Sequence, residues 1–372
     1  MNKIDRLFRK EIEDIPVYIP GKPIEEVQRM LGLKRVIKLA SNENPLGPSP
    51  KAVRAIKKAL DGINRYPDAA SWYLKAKIAT TLQTEIDRII CGNGSDDIII
   101  LTLKAFAGKG DEVIIAKPTF LIYQVAAGIV GASIKFVPLT SDLKYDLRAM
   151  KRAITGKTKI IFIANPDNPA GTYVTKDELE EFLEDLPEDI IVYLDEAYYE
   201  LARYFCKDYP NGLDYLGRRN IIVARSFSKI YGLAGLRVGY GVTSSRIARY
   251  LDKFRDPFNV NILAQAAACA ALDDKEFVRK TLEAVKEGKQ FLYGALDKMG
   301  LEYVKTATNF MMINVKRDCV KVFEQLICKG IIVRDMKAWG YDTFIRVSVG
   351  TREENEIFIE TLKKVLSRKL TY

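Results

Sequence analysis

Between about Lys51 and Val242, short apolar, β-branched runs alternate with stretches whose apolar residues recur at helical spacing. The runs predict strands over residues 88–91, 112–116, 133–137, 159–164, 190–194 and 221–225. The spacing between them predicts helices over residues 96–106, 147–153 and 176–183. Strand and helix in that rhythm imply a mostly parallel sheet covered on both faces. After Ser245 two long helical stretches, 262–272 and 275–299, lead into a tail with strands near 311–315, 331–334 and 343–348 and helices over 320–328 and 353–368. The N-terminal stretch is irregular and marked by Pro16, Pro20, Pro23 and Pro45. The pattern therefore predicts an α/β protein. A large α/β domain spans residues 46–260, and an N-terminal arm (1–45) joins the C-terminal residues 261–372 in a smaller α+β domain.

Composition narrows the chemistry. None of the 372 residues is histidine, which excludes a Ser-His-Asp triad, a Cys-His pair, a His-ligated zinc and imidazole acid/base catalysis. Proton transfer falls to Lys, Tyr, Asp, Glu, Cys or a cofactor. The five cysteines are scattered without a CxxC pair, which argues against a disulfide framework or a structural zinc and for a reducing cytoplasm. The first residues mix charges and do not read as a signal peptide, and no apolar run approaches the ~18 residues of a membrane helix. The net charge is +10, but Lys and Arg are interleaved with acids. That fits a solvated surface around an anionic ligand better than a nucleic-acid groove.

In an open α/β sheet, ligands bind outside the carboxyl ends of the strands. Four predicted strands end on chemistry: Gly92-Asn-Gly-Ser-Asp96, Asn165-Pro-Asp-Asn-Pro-Ala-Gly171, Asp195-Glu-Ala-Tyr198 and Ser226-Phe-Ser-Lys229. Each alone has an ordinary reading. The first is a turn with an N-cap, since Asp97 stands where a dinucleotide fingerprint has its third glycine. The second is turn chemistry, the third a helix cap, and the fourth a surface lysine. Together, in this order, they deliver Ser, Asn, Asp, Tyr and Lys to one sheet edge.

The set resembles a known family. Ser226-Phe-Ser-Lys229 followed by Gly235-Leu-Arg237-Val-Gly239 is similar to the lysine signature of fold-type I pyridoxal-phosphate (PLP) aminotransferases. Asn42-Glu-Asn-Pro45, Asn64-Arg-Tyr-Pro67, Pro118-Thr-Phe120, Asn168-Pro169, Asp195-Glu-Ala-Tyr198 and Ile345-Arg-Val-Ser-Val-Gly-Thr351 follow the family's order over nearly the whole chain. The segments 39–45 and 256–261 most resemble the histidinol-phosphate aminotransferase branch.

The resemblance implies a fold-type I architecture, a homodimer, PLP as cofactor, no metal, and roles for particular residues. Lys229 bonds the cofactor aldehyde and then carries the proton at the substrate Cα. Asp195 pairs with the pyridine nitrogen, and Asn168 and Tyr198 meet the ring oxygen. Phe120, where many relatives have Tyr or Trp, stacks on the ring. Gly94, Ser95, Asp96, Ser226, Ser228 and Arg237 surround the phosphate, with Tyr66 reaching it from the neighbouring subunit. Tyr18, Asn42, Asn168, Arg334 and Arg346 line the substrate pocket, the two arginines clamping a substrate phosphate. The activity so implied is transamination between histidinol phosphate and 2-oxoglutarate in histidine biosynthesis. An aromatic amino-acid aminotransferase and a threonine-phosphate decarboxylase share enough of these motifs to stand as alternatives.

Overall fold

The computed structural model describes residues 21–367 together with Leu7 and Ile15. Its strands, in chain order, are β1 (Ile37–Lys38), β2 (Ile89–Gly92), β3 (Glu112–Lys117), β4 (Ser133–Pro138), β5 (Thr158–Ala164), β6 (Ile191–Asp195), β7 (Asn220–Ser226), β8 (Gly239–Val242), β9 (Phe310–Asn314), β10 (Ile331–Ile332), β11 (Arg334–Asp335) and β12 (Phe344–Ser348).

Seven of these strands form one sheet in the order β2-β8-β7-β6-β5-β3-β4. Strands β3 to β7 pair in parallel. Every residue of β6 and nearly all of β5 are buried, as expected of strands covered on both faces, and this is why their sequences are continuous apolar runs instead of alternating ones. Helices such as Ser95–Phe106, Ile122–Val130 and Lys176–Glu184 supply the cover. The core between them is built from Ile98, Ile114, Ile161, Phe162, Tyr193 and Val223.

Strand β8 had no counterpart in the sequence pattern. It runs antiparallel between β2 and β7, pairing Gly239 with both Gly92 and Ser226. Its sequence, Gly-Tyr-Gly-Val, hides strand periodicity, because the glycines serve close approach and not strand propensity. A Cβ on Gly239 would lie 2.6 Å from the backbone nitrogen of Ser95, so the bare glycine lets the sheet press against the start of the Ser95–Phe106 helix.

A second core joins β9 and β12 to the helices Lys275–Met299 and Arg352–Ser367 through Leu292, Leu296, Ile313, Val347, Phe358 and Leu362. Ile37 and Leu39 from near the N-terminus pack into the same cluster. The single strand expected over 331–334 is two. Ile331–Ile332 pairs in parallel with β1, and Arg334–Asp335 pairs antiparallel with β12, because the chain changes partners at Val333. In that second pairing Arg334 stands directly opposite Arg346.

Candidate active site

The parallel register brings Ala164, Asp195 and Ala224 to one level, so β5, β6 and β7 open their carboxyl ends onto a common pocket of about 180 Å³. Asp195, the last residue of β6, is buried at its floor. Its carboxylate accepts hydrogen bonds from the Tyr123 hydroxyl at 2.7 Å and the Ala197 amide at 3.1 Å. Burial pushes its pKa up to about 6, although both hydrogen bonds pull it down. Burial also holds the Tyr123 phenol well above its ordinary pKa, so it remains a donor. Sequence reasoning missed Tyr123. Its only signal is a place three residues after Phe120, whose ring it meets edge-on at 5.8 Å.

Lys229 enters the pocket from the turn after β7. Its Nζ donates to the Ser41 carbonyl at 3.4 Å, and the Asn44 amide holds its own carbonyl at 3.1 Å. Burial, and then the Arg346 guanidinium, bring the Lys229 ammonium down to about 8. Neighbouring Tyr198, whose ring centroid lies 5.6 Å from Nζ, accepts from Asn42 Nδ2 at 2.9 Å. Burial raises the Tyr198 phenol to about 12, so it too stays protonated near neutrality. Asn42 takes a left-handed backbone (φ 55°), a conformation that asparagine tolerates, and this turns its side chain into the site.

Opposite the lysine lies an anion cradle. The Ser95–Phe106 helix begins after Gly94 (φ 84°), and no side chain caps its first amides. Free amides at a helix N-terminus favour a bound anion. A Cβ on Gly94 would stand 2.6 Å from Arg237 Nη2, so only glycine lets that guanidinium close over the turn. Arg237 Nη2 also donates to Asp96 at 3.1 Å, and Ser226 and Ser228 are buried beside it along the same wall. Amine, carboxylate and uncapped helix amides thus face one volume: a nucleophile for an aldehyde, an acceptor for a protonated ring nitrogen and donors for a phosphate. PLP carries these three groups, and the residues fit it.

The remaining wall is basic. Arg346 on β12 is buried, donating Nη1 to Asn168 Oδ1 and Nη2 to the Ala40 carbonyl at 3.1 Å. Arg334 lines the same wall, its guanidinium over the Trp339 ring at 5.1 Å. Asn168 sits in a turn organised by buried Asp167, which accepts from Thr119 Oγ1 at 2.7 Å and from the Ala170 amide at 3.1 Å. Burial lifts the Asp167 carboxyl to about 7.

The structure gathers Asn42, Ser95, Asp96, Phe120, Asn168, Asp195, Tyr198, Ser226, Ser228, Lys229, Arg237, Arg334 and Arg346 around the pocket, with Gly94 behind the cradle. Tyr66 is apart from it: it is 81% exposed and stacks on Phe258 at 4.5 Å. Tyr18 lies outside the described residues.

The chain is similar to known proteins in sequence and in fold. Over 361 residues the chain is 49% identical to the histidinol-phosphate aminotransferase of Moorella thermoacetica, covering 96% of this chain and 93% of that protein. It is 47% identical to histidinol-phosphate aminotransferase 2 of Carboxydothermus hydrogenoformans, covering 97% of this chain and 99% of the relative. The crystal structure of histidinol-phosphate aminotransferase from Sinorhizobium meliloti in complex with pyridoxal-5'-phosphate superposes with a TM-score of 0.87 at 28% identity, over 96% of this chain and 97% of that one. The family model for aminotransferase class I and II matches residues 34–362, a span that includes the lysine turn, the anion cradle and both pocket arginines. The chain belongs to the aminotransferase class I and II family.

Proposed function

We propose that the chain is a PLP-dependent histidinol-phosphate aminotransferase, exchanging an amino group between histidinol phosphate and 2-oxoglutarate in histidine biosynthesis. The observation that carries the substrate choice is the pair Arg334 and Arg346, opposite each other across β11 and β12 and both facing the pocket that Lys229 enters. Two guanidinium groups match the charge of a phosphate monoester better than one does. The named relatives at 47–49% identity support the same substrate.

When bound, PLP supplies an electron sink for negative charge developing at the substrate Cα. Lys229 would hold the cofactor aldehyde, and its freed amine would carry the proton from the substrate Cα to the cofactor's C4′. Asp195, kept in place by Tyr123, holds a proton on the ring nitrogen. Asn168 and Tyr198, which line the pocket, would donate to the ring oxygen, and Phe120 would stack on the ring. The Gly94–Asp96 amides, Ser226, Ser228 and Arg237 hold the phosphate. Arg346 would meet the carboxylate of glutamate or the phosphate of the other substrate, and Asn42 lines the same pocket.

Single-turnover half-reactions, followed by the cofactor spectrum, test the substrate. Histidinol phosphate should react with a higher kcat/KM than phenylalanine, tyrosine or threonine phosphate; a preference for phenylalanine would make the enzyme an aromatic aminotransferase. Arg334→Ala should cost the histidinol phosphate half-reaction about 2–3 kcal/mol in kcat/KM, the worth of a charge-assisted hydrogen bond. The glutamate half-reaction should lose less, because Arg346 alone can take its carboxylate. Added salt should weaken the phosphate substrate more than phenylalanine.

The active species in this proposal is a homodimer. Ile63, Tyr66, Trp72, Tyr73 and Phe258 are exposed, with Tyr66 stacked on Phe258 and Trp72 against Tyr73, and exposed large apolar side chains that cluster mark protein interfaces. Tyr66 of the partner subunit then reaches the phosphate. Mixing Lys229→Ala chains with Tyr66→Ala chains should give activity above the sum of the two parents, since some heterodimers regain one intact site. A fully active monomer in sedimentation at assay concentration would exclude the shared site. Among the described residues no helix is long and apolar enough to cross a membrane. All five cysteines are free thiols, in keeping with a cytoplasmic enzyme.

A further inference from the structure

We propose that Trp339 is a positioning residue that makes the pocket prefer a phosphate-bearing amino donor, because its indole seats the Arg334 guanidinium and walls the pocket off from a neighbouring apolar cavity. The inference rests on the function proposed above.

Trp339 closes a short turn, Lys337–Trp339, that follows β11. Its Nε1–H donates to the Thr119 carbonyl at 3.1 Å, which ties this turn to the loop leading into Phe120. With the indole plane held in that way, the Arg334 guanidinium rests over its face at 5.1 Å. Such a contact orients a long, rotamer-rich side chain that would otherwise lose entropy on meeting an anion. Thr119 also donates to Asp167, which shapes the turn carrying Asn168, and Asn168 in turn holds Arg346. Both guanidinium groups are therefore referred to the same residue, Thr119, one through Trp339 and one through the Asp167 turn.

The same indole also borders a second, mostly apolar cavity of about 190 Å³, lined by Ile115, Phe120, Leu121 and Phe136 together with Lys117 and Gln124. Trp339 and Phe120 are the side chains that border both spaces. Removing the indole joins apolar room to the basic pocket and takes away the ring face on which Arg334 rests. The two consequences push selectivity the same way, against a phosphate and toward a bulky apolar side chain.

The test compares wild type, Trp339→Ala and Trp339→Leu in half-reactions with histidinol phosphate, phenylalanine and glutamate. For Trp339→Ala, the KM for histidinol phosphate should rise about tenfold or more with kcat little changed, while phenylalanine is unchanged or improved. Trp339→Leu keeps bulk in the wall but has no aromatic face, so it should lose the phosphate preference without gaining phenylalanine. In an Arg334→Ala background, Trp339→Leu should add little further loss. Equal losses for all three substrates, or a full additional loss in the Arg334→Ala background, would overturn the assignment. Inhibition of the glutamate half-reaction by inorganic phosphate separates this idea from the substrate reading. If wild type rejects histidinol phosphate, the substrate reading fails; the role of Trp339 then stands if phosphate inhibits Trp339→Leu more weakly than wild type, and falls if inhibition is the same.

Discussion

Lys229→Ala should lower transamination by about 10³–10⁴-fold or more, since in the proposed mechanism the substitution removes both the cofactor's covalent anchor and the base at Cα. No histidine exists to substitute for it. Borohydride treatment of the wild type should lock the cofactor onto one peptide, the one containing Lys229, and the variant should release the cofactor on gel filtration. Labelling of another lysine, or retained turnover, would remove the residue from the mechanism. The pH dependence follows from the site's electrostatics. Burial and Arg346 bring the ammonium down to about 8, and only the neutral amine can accept a proton. The proton-transfer rate should therefore rise about tenfold per unit as pH approaches 8 from below and level off above it. A flat profile between pH 6 and 9 would mean that another step or another group limits turnover.

The largest expected effect on stability lies one residue past Asp195. Glu196 and Arg225 form an ion pair with side chains only 2% and 3% exposed. Arg225 donates Nε and Nη2 to the same carboxylate oxygen at 2.9 and 2.8 Å and packs its guanidinium 3.4 Å from the Tyr199 ring centroid. The other oxygen accepts the Gly212 amide at 2.7 Å. Removing one partner strands a buried charge, which costs about 3–5 kcal/mol. Glu196→Ala should therefore lower unfolding free energy by that amount in urea titration, and Glu196→Gln, which keeps one acceptor, should lose less. A cost below about 1 kcal/mol would mean that water or a neighbouring group rescues Arg225.

The constellation around the pocket was legible because parallel strands announce themselves. Their apolar runs are continuous, so the polar segment that follows each run marks a carboxyl end, and Asp195, Asn168, Ser226 and Lys229 all lie in such segments. What stayed hidden obeys other physics. β8 is half glycine, and its role depends on the proximity of the Ser95 amide, a contact between residues far apart in sequence. Tyr123 is indistinguishable in the sequence from any core aromatic of its helix until the fold sets its hydroxyl against Asp195. Trp339 shows no periodicity, since it lies in a turn whose position is fixed by a hydrogen bond to the carbonyl of Thr119. The split of 331–334 into β10 and β11 is invisible for the same reason: an apolar run does not record which neighbour each residue will meet.

The opposition of Arg334 and Arg346 across β11 and β12 also has a thermodynamic side. Like charges directly opposite in an antiparallel pair weaken it, so the small sheet bears a standing repulsion that a hydrophobic pair would not impose. An anion docking between the two guanidinium groups, as in the proposed function, would relieve that repulsion and link folding and affinity through the same two side chains. The fold gives up stability at this rung of the ladder, and saturating phosphate ligand returns it as a higher melting temperature. Selection for a sturdier protein and selection for a tighter site thus pull these positions in opposite directions.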